Sequence, residues 1–382
     1  MTLLYLVAGE ASGDALGGRL MQALRQRRGD LAFAGIGGPR MAEEGLVSLF
    51  PMEELSLMGL AEVVPKLPRL IRRLTEAEAD ILARRPAALI TIDAPSFTLR
   101  LAGRVREKGI PVIHYVAPQV WAWRPGRVRK IARKVDRLLA LLPFEPAFFT
   151  AAGIATDFVG HPVVESGADR GDAISFRQRF GLSTERPLLA VMPGSRAGEL
   201  ARHLPIFTRA CALLLGRRPD LALFVPTLPA LEAMVRAAPW PAPPIVATDA
   251  QTKHDGWAAA MAALAKSGTT SLELAVAGLP HVIAYRANPL TAAIVRRLVR
   301  VRHASLVNLL AGGEVVPELL QETCTAQALA DALWPLLGDK PAREAQRGAF
   351  GQVIAALRAP GGVSPSAAAA EAILADLDRR AR

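Results

Sequence analysis

Met192-Pro193-Gly194-Ser195-Arg196 follows the apolar run 187–191 and precedes a helical pattern that begins near Glu199. A strand that ends in such a turn and opens a helix presents backbone N–H groups and the positive end of a helix dipole at one point, which suits phosphate. Arg196 adds a planar fork that can grip phosphate oxygens in pairs. A second turn of this kind, Ser267-Gly268-Thr269-Thr270, follows 263–266 and opens a helix carrying Glu273. Two anion turns on one predicted sheet, with a carboxylate one turn into the second helix, point to a nucleotide. Phosphates would lie on Ser195, Ser267, Gly268 and Thr269, and ribose hydroxyls on Glu273.

The first half of the chain holds a different set. Gly9-Glu10-Ala11-Ser12-Gly13-Asp14 follows the first predicted strand and opens the first helix. Its glycine spacing is wrong for a dinucleotide fingerprint, and Gly35, Gly37 and Gly38 do not repair it, so a dehydrogenase is weakly supported. A tight strand–helix connection accounts for Gly9 and Gly13, but Glu10, Ser12 and Asp14 together favour a site for sugar hydroxyls. Asp93 stands just past the strand 87–92, where open α/β sheets keep ligand-facing residues. It is a candidate general base, with a helix N-cap as the competing role. His114 lies inside the apolar strand 111–116, where a core residue is the simpler reading. Trp121 and Trp123 follow in a long connection, either walling a site or packing that connection.

Residues 55–74 are apolar with a basic end. Met58, Val64, Leu67 and Leu70, flanked by Arg69, Arg72 and Arg73, could enter a lipid headgroup region. The competing reading is a core helix with arginines on its wet face, and two prolines argue against one long helix there.

These residues are carried by 382 positions, which suggests two domains. Strand and helix alternate from 3–8 onward, with strands apolar on both faces, as in a parallel sheet covered by helices. Weak periodicity places an inter-domain linker over 160–185. Alternation resumes at 187–192, with further strands at 221–226, 244–247, 263–266 and 281–285. Helices at 326–337, 342–357 and 366–379 close the chain. No apolar run reaches the roughly 18 residues of a membrane span, and the N-terminus reads as a strand, not a signal peptide. Cys211 and Cys324 form no motif, which fits a reducing compartment. The net charge of +11 favours anionic partners. Six scattered histidines without a ligand motif argue against a metal, and no Walker A or G-x-S-x-G motif is present.

Taken together, Val7-Ala8-Gly9-Glu10-Ala11-Ser12-Gly13-Asp14, Ile92-Asp93-Ala94-Pro95, His114-Tyr115-Val116-Ala117-Pro118 with Val120-Trp121-Ala122-Trp123, Leu142-Pro143-Phe144-Glu145, Pro193-Gly194-Ser195-Arg196, Ser267-Gly268-Thr269 and Leu306-Val307-Asn308-Leu309-Leu310 resemble the lipid A disaccharide synthase family over nearly the whole chain. The resemblance implies an α/β protein of the GT-B glycosyltransferase fold, two Rossmann-like domains facing a cleft. An acceptor and membrane-facing domain would span 1–165, and a UDP-sugar domain 183–345. A tail helix at about 363–382 would either pack back on the first domain or exchange between two subunits of a homodimer. It implies an inverting transfer from UDP-2,3-diacylglucosamine to 2,3-diacylglucosamine 1-phosphate. The products would be a β-1,6-linked disaccharide phosphate and UDP. No metal or other cofactor is expected, and the location would be cytoplasmic, on the inner face of the inner membrane. Such a transfer needs a base on the acceptor hydroxyl, either Asp93 or Glu10. It also needs a stabiliser for departing UDP, for which Arg196, Ser195 and the N–H groups near Gly268 and Thr269 are placed. Gly13, His114, Trp123, Asn308 and Gln321 complete the candidate substrate contacts.

Competing readings are another GT-B protein, such as the undecaprenyl-linked N-acetylglucosamine transferase or a UDP-sugar 2-epimerase, and a basic protein that binds lipid or nucleic acid without catalysis. The chain lacks the aromatic-and-basic stripe of nucleic-acid platforms.

Overall fold

The alternating apolar strands and helices build two all-parallel sheets of six strands each. The computed structural model describes residues 1–55, 60–123, 125–287 and 303–381, with the side chains of 60–67, 123 and 125 also outside the description. Contacts divide the chain into one unit of 1–162 with 357–382 and a second of 163–356.

In the first unit the strands are β1 Thr2–Ala8, β2 Leu31–Ile36, β3 Ala88–Ile92, β4 Val112–Tyr115, β5 Arg137–Ala140 and β6 Ala155–Phe158. Their order is β2-β1-β3-β4-β5-β6. Successive residues of β1 feed opposite faces: Leu4 and Leu6 enter one apolar cluster, Tyr5 and Val7 the other. The helix Pro365–Ala381 covers the first face beside Ala11–Arg27, burying Ala369, Ala370, Ile373 and Leu377. Arg27–Glu371, at 2.8 Å, and Arg137–Asp376, at 2.9 Å, fasten its polar side. The outgoing and returning segments of the first unit run side by side, with His161 N–H donating to Leu357 O at 2.8 Å.

In the second unit the strands are β7 Leu188–Met192, β8 Ala222–Pro226, β9 Ile245–Ala247, β10 Ala262–Lys266, β11 His281–Tyr285 and β12 Glu318–Leu320. Their order is β12-β11-β10-β7-β8-β9. Each order reverses direction once, between β1 and β3 and between β7 and β10. A crevice opens at the carboxyl ends of the strands where the direction changes, because the loops there turn to opposite faces. The register makes those ends level: Ala8 pairs with Ile92, and Ala265 with Met192. The turns Gly9–Asp14 and Asp93–Pro95 therefore meet at one switch point, and the turns Pro193–Arg196 and Ser267–Thr270 at the other.

Three local expectations are corrected. The boundary between the units, at 162–163, falls inside the expected linker 160–185, but that stretch also contains the helix Ala173–Arg179, whose N-cap Asp172 accepts from Ile174 and Ser175 N–H. A helix also fills Ala250–Ala259, where none was expected, packed so closely that a Cβ on Gly256 would lie 2.2 Å from the Phe224 ring. Finally, Leu60–Arg84 is one helix despite Pro65 and Pro68. Among the described residues no helix is long and apolar enough to cross a membrane.

Candidate functional site

The second switch point holds a cavity of about 330 Å³. Gly194, Ser195 and Arg196 line it from one turn, Ser267, Gly268, Thr269 and Thr270 from the other, and Glu273, Lys253, Trp257, Thr227 and Lys266 around them. That volume lies within the usual range for small-ligand sites. Arg196 is the N-cap of the helix Ala197–Arg217 and its side chain is 55 % exposed. Gly194 has φ +140°, and a Cβ there would lie 2.7 Å from the Glu199 Cβ, so this turn closes only with glycine. Glu273 sits in the first turn of the helix Thr270–Val276, with Lys253 Nζ 3.8 Å from its carboxylate. Lys253 also lies over the Trp257 ring, 4.7 Å from its centre. The Trp257 Nε1 and Thr227 Oγ1 atoms are buried without a hydrogen-bond partner, which marks this wall as unfinished in the protein alone.

One N–H of the first turn, expected to face phosphate, is already taken. Ser195 N–H donates to Glu199 Oε2 at 3.1 Å, while Glu199 Oε1 receives Lys266 Nζ at 2.9 Å. Burial acts to raise the Glu199 carboxyl, but Lys266, Ser195 N–H and Arg196 outweigh it and hold it below the ordinary range. Glu199 and Lys266 were missed as site residues. The available signal was their position: Glu199 one turn into the helix after Arg196, and Lys266 as the last residue of β10.

At the first switch point Asp93 and Ala94 both have left-handed backbones, with φ of 50° and 45°. Aspartate tolerates that region, but alanine does not do so readily, so the turn is held by its surroundings. Asp93 N–H donates to Tyr115 O at 3.0 Å, and the Thr98 hydroxyl donates to Asp93 O at 2.6 Å. A Cβ on Gly9 would meet the Ala94 Cβ at 2.7 Å, and one on Gly13 would meet Ile92 O at 3.2 Å. Both glycines thus permit the close approach of the two turns. Asp93 is not the helix N-cap, which is Ala94. Burial pushes its carboxyl above the ordinary carboxylate range, against hydrogen bonds from Ala94 N–H and the Ser12 hydroxyl. A carboxylate so placed is a competent proton acceptor near neutral pH. Glu10 is the N-cap residue of the helix Ala11–Arg27, at the same switch point. Asp14 has another duty. Its carboxylate accepts from Gly38, Arg40 and Met41 N–H at 2.8, 2.9 and 3.0 Å, capping the helix Pro39–Glu43.

Several other candidates are corrected. His114 is fully buried, its Nδ1 2.7 Å from the Thr91 hydroxyl, and burial pushes its pKa down to about 4. It is a neutral core residue with no surface to offer a substrate. Asn308 is also fully buried. Its amide donates to Val316 O and Glu318 and accepts from Val315 and Val316 N–H, all at 2.8–2.9 Å. With its polar atoms so engaged, it shapes the 308–318 loop. Gln321 has φ 53°, and its Oε1 accepts from Ala287 N–H at 3.2 Å; it tethers the end of β11 and lies outside the lining of the nucleotide-sized cavity. Trp121 packs: it donates to Glu145 at 3.0 Å and stands edge-on to Phe144.

The basic-apolar segment divides. Leu70 packs against the core, and Arg73 lies over Phe50 while bonding Glu54 and Glu76. Arg69 also bonds Glu54, at 2.8 Å, and Arg73 with Arg69 holds that carboxyl down to about 2. Arg72 is exposed, as is Ile71, at 50 %. Met58 and the side chains of Val64, Leu67 and Trp123 lie outside the described residues.

A sequence model of the family described as Lipid-A-disaccharide synthetase matches residues 4–371. A curated lipid-A-disaccharide synthase of Rhodospirillum centenum is 51 % identical, with 99 % of this chain and 95 % of the relative covered. Another, of Gluconobacter oxydans, is 49 % identical over 97 % of this chain and 89 % of the relative. Among solved structures, the UDP-GlcNAc 2-epimerase of Neisseria meningitidis bound to UDP-GlcNAc superposes with a TM-score of 0.63 at 10 % identity, covering 99 % of this chain and 100 % of that one. The calicheamicin glycosyltransferase gives 0.60 at 17 % identity, covering 100 % and 99 %. At such identities these structures share the fold alone, and that fold is GT-B.

Proposed function

The chain belongs to the lipid-A-disaccharide synthase family and is a glycosyltransferase of lipid A biosynthesis, and from that premise we propose how its residues divide the reaction. The second unit holds the donor, UDP-2,3-diacylglucosamine. Its diphosphate lies against Arg196, the Ser195 hydroxyl and the Gly268–Thr269 turn, and its ribose against Glu273. The observation that carries this reading is the cavity at the β7–β10 switch point, lined by both turns and by Glu273. The first unit takes 2,3-diacylglucosamine 1-phosphate. Asp93 removes the proton from its 6-hydroxyl as that oxygen attacks the anomeric carbon. The bond from that carbon to the UDP oxygen breaks, UDP leaves with the electron pair, and the configuration inverts. Glu10 is the second carboxylate at that switch point.

The transfer is proposed to need no metal, so full turnover is expected in the presence of a chelator. The protein is proposed to work on the cytoplasmic face of the inner membrane, with Ile71 and Arg72 meeting lipid. The tail helix seats on a first unit, its own in a monomer or the partner's in an exchanged homodimer, and sedimentation distinguishes them. The test of the whole is mass spectrometry of products from both acylated sugars in detergent. A tetra-acylated disaccharide phosphate with released UDP is expected. UDP binding without that product would keep the donor site and remove the acceptor assignment.

A further inference from the structure

Lys266 ends β10, so its side chain leaves the sheet at the switch point, between the two anion turns. Its ammonium is 2.9 Å from Glu199 Oε1 and lies 3.8 Å from where a Gly268 Cβ would stand. It is therefore bonded toward the first turn and sits beside the second. Glu199 is confined: its side chain is 9 % exposed, its other oxygen takes Ser195 N–H, and it is absent from the cavity lining, whereas Lys266 is part of that lining. An ammonium has three donors. One is spent on Glu199, which leaves two for an anion in the cavity. The second cation among the lining residues, Lys253, is turned toward Glu273, and Arg196 reaches in from the exposed rim with 55 % of its side chain in solvent. A half-exposed guanidinium is a weaker anchor for a diphosphate than the same charge more deeply placed, and the Lys266 ammonium, at 19 % exposed, lies deeper.

We propose that Lys266 is a direct ligand of the donor diphosphate and that Glu199 is a positioning residue that holds its ammonium between the two turns; the inference rests on the donor-site reading above. The Lys266 charge then adds to the stabilisation of UDP as it departs. Glu199 also fixes the Ser195 backbone.

Calorimetry of UDP, UMP and uridine against wild type, Lys266→Met, Glu199→Gln and the Glu199→Gln/Lys266→Met pair tests this. The double variant matters because Lys266→Met alone leaves a buried carboxylate unpaired and can unfold the unit. Thermal unfolding confirms that the pair is folded. In the double variant UDP affinity is expected to fall about tenfold to a hundredfold, UMP affinity less, and uridine affinity by less than about twofold. Glu199→Gln is expected to weaken UDP binding several-fold with uridine binding unchanged, and to lower kcat as well as raise the donor KM, because the ammonium it positions also steadies departing UDP. Unchanged UDP affinity in a folded double variant, with wild type binding UDP, would reduce Lys266 to a structural partner of Glu199 and overturn the proposal. Tighter UDP binding in Glu199→Gln would make that carboxylate a competitor of the ligand and overturn its positioning role. A wild-type chain that binds none of the three removes the donor reading and this inference with it.

Discussion

Replacing Asp93 by asparagine isolates proton removal from everything else the site does. The amide is nearly isosteric and its oxygen still accepts from Ala94 N–H and the Ser12 hydroxyl, so the strained turn is kept. It has no basic lone pair for the acceptor proton. A positioned general base contributes about 10²–10⁴-fold, and turnover should fall by that factor. The residues lining the nucleotide cavity all belong to the second unit, so UDP affinity should be unchanged. Because burial raises the Asp93 pKa, the acid limb of the wild-type pH–rate profile should lie above the ordinary carboxylate range, with activity lost as pH falls through it. Ser12→Ala removes a bond to the charged form and should move that limb further upward. A hydroxyl bonded to a charged carboxylate is worth about 1.5–3 kcal/mol, which at 1.36 kcal/mol per unit gives a shift of about one to two pH units. Burial favours the neutral form at Asp93, so Asp93→Asn should be no less stable than wild type at neutral pH. The assays are initial-rate profiles from pH 5 to 9, UDP calorimetry and thermal melts, in the range where most enzymes titrate. Near-normal turnover in Asp93→Asn, or an acid limb unmoved by Ser12→Ala, would refute the assignment; a lower melting temperature would expose a folding defect instead.

Arg196→Ala should weaken UDP binding by about tenfold, at the low end for a charge-assisted bond because the side chain is largely exposed; equal affinity in calorimetry removes Arg196 from the donor site. Gly194→Ala should destabilise the protein by about 1–3 kcal/mol, since it forces alanine into φ +140° and onto Glu199, and a denaturant midpoint equal to wild type would contradict the steric argument. His114, His161 and His281 are buried with pKa values pushed down to about 4. The unfolded chain binds their protons near 6.5, so stability should be full above that pH and fall as pH drops toward 4; urea midpoints that stay level across this window would refute the burial of these rings. Ile71→Asp with Arg72→Glu should reduce cosedimentation with anionic vesicles while leaving the circular dichroism spectrum intact. Undiminished vesicle binding would place the lipid-facing surface elsewhere.

The catalytic-looking residues were legible because glycine turns after buried strands have few other uses. Gly194 and Gly268 mark such turns in the sequence, and the sheet order brings them together. What periodicity could not supply was that order. Nothing in the runs 188–192 and 262–266 says that they are neighbours while 222–226 lies on the far side. The helix Ala250–Ala259 was missed because Lys253, His254 and Asp255 interrupt its apolar pattern, although Asp249 three residues before Thr252 was a readable N-cap. His114 and Asn308 show the opposite error. Their motifs stand out in the sequence, but His114 is sealed inside the sheet and the Asn308 amide is consumed by the 308–318 loop. Glu199 and Lys266 form an ion pair 67 residues apart in sequence, and only the switch-point crossing makes them partners.

The helix Pro365–Ala381 completes the apolar face that begins with β1. During synthesis the first sheet has all its strands once Phe158 has emerged. Yet the cluster that holds Leu4, Leu6, Ile90 and Ile113 waits for its last cover until the ribosome has made the whole second unit. The second unit is a contiguous stretch and can close while the first is still open. The nascent chain thus carries an apolar surface only partly covered, by the helix Ala11–Arg27, throughout synthesis of the second unit, a natural site for chaperone capture. Loss of the final helix should therefore expose the first unit and leave the second folded.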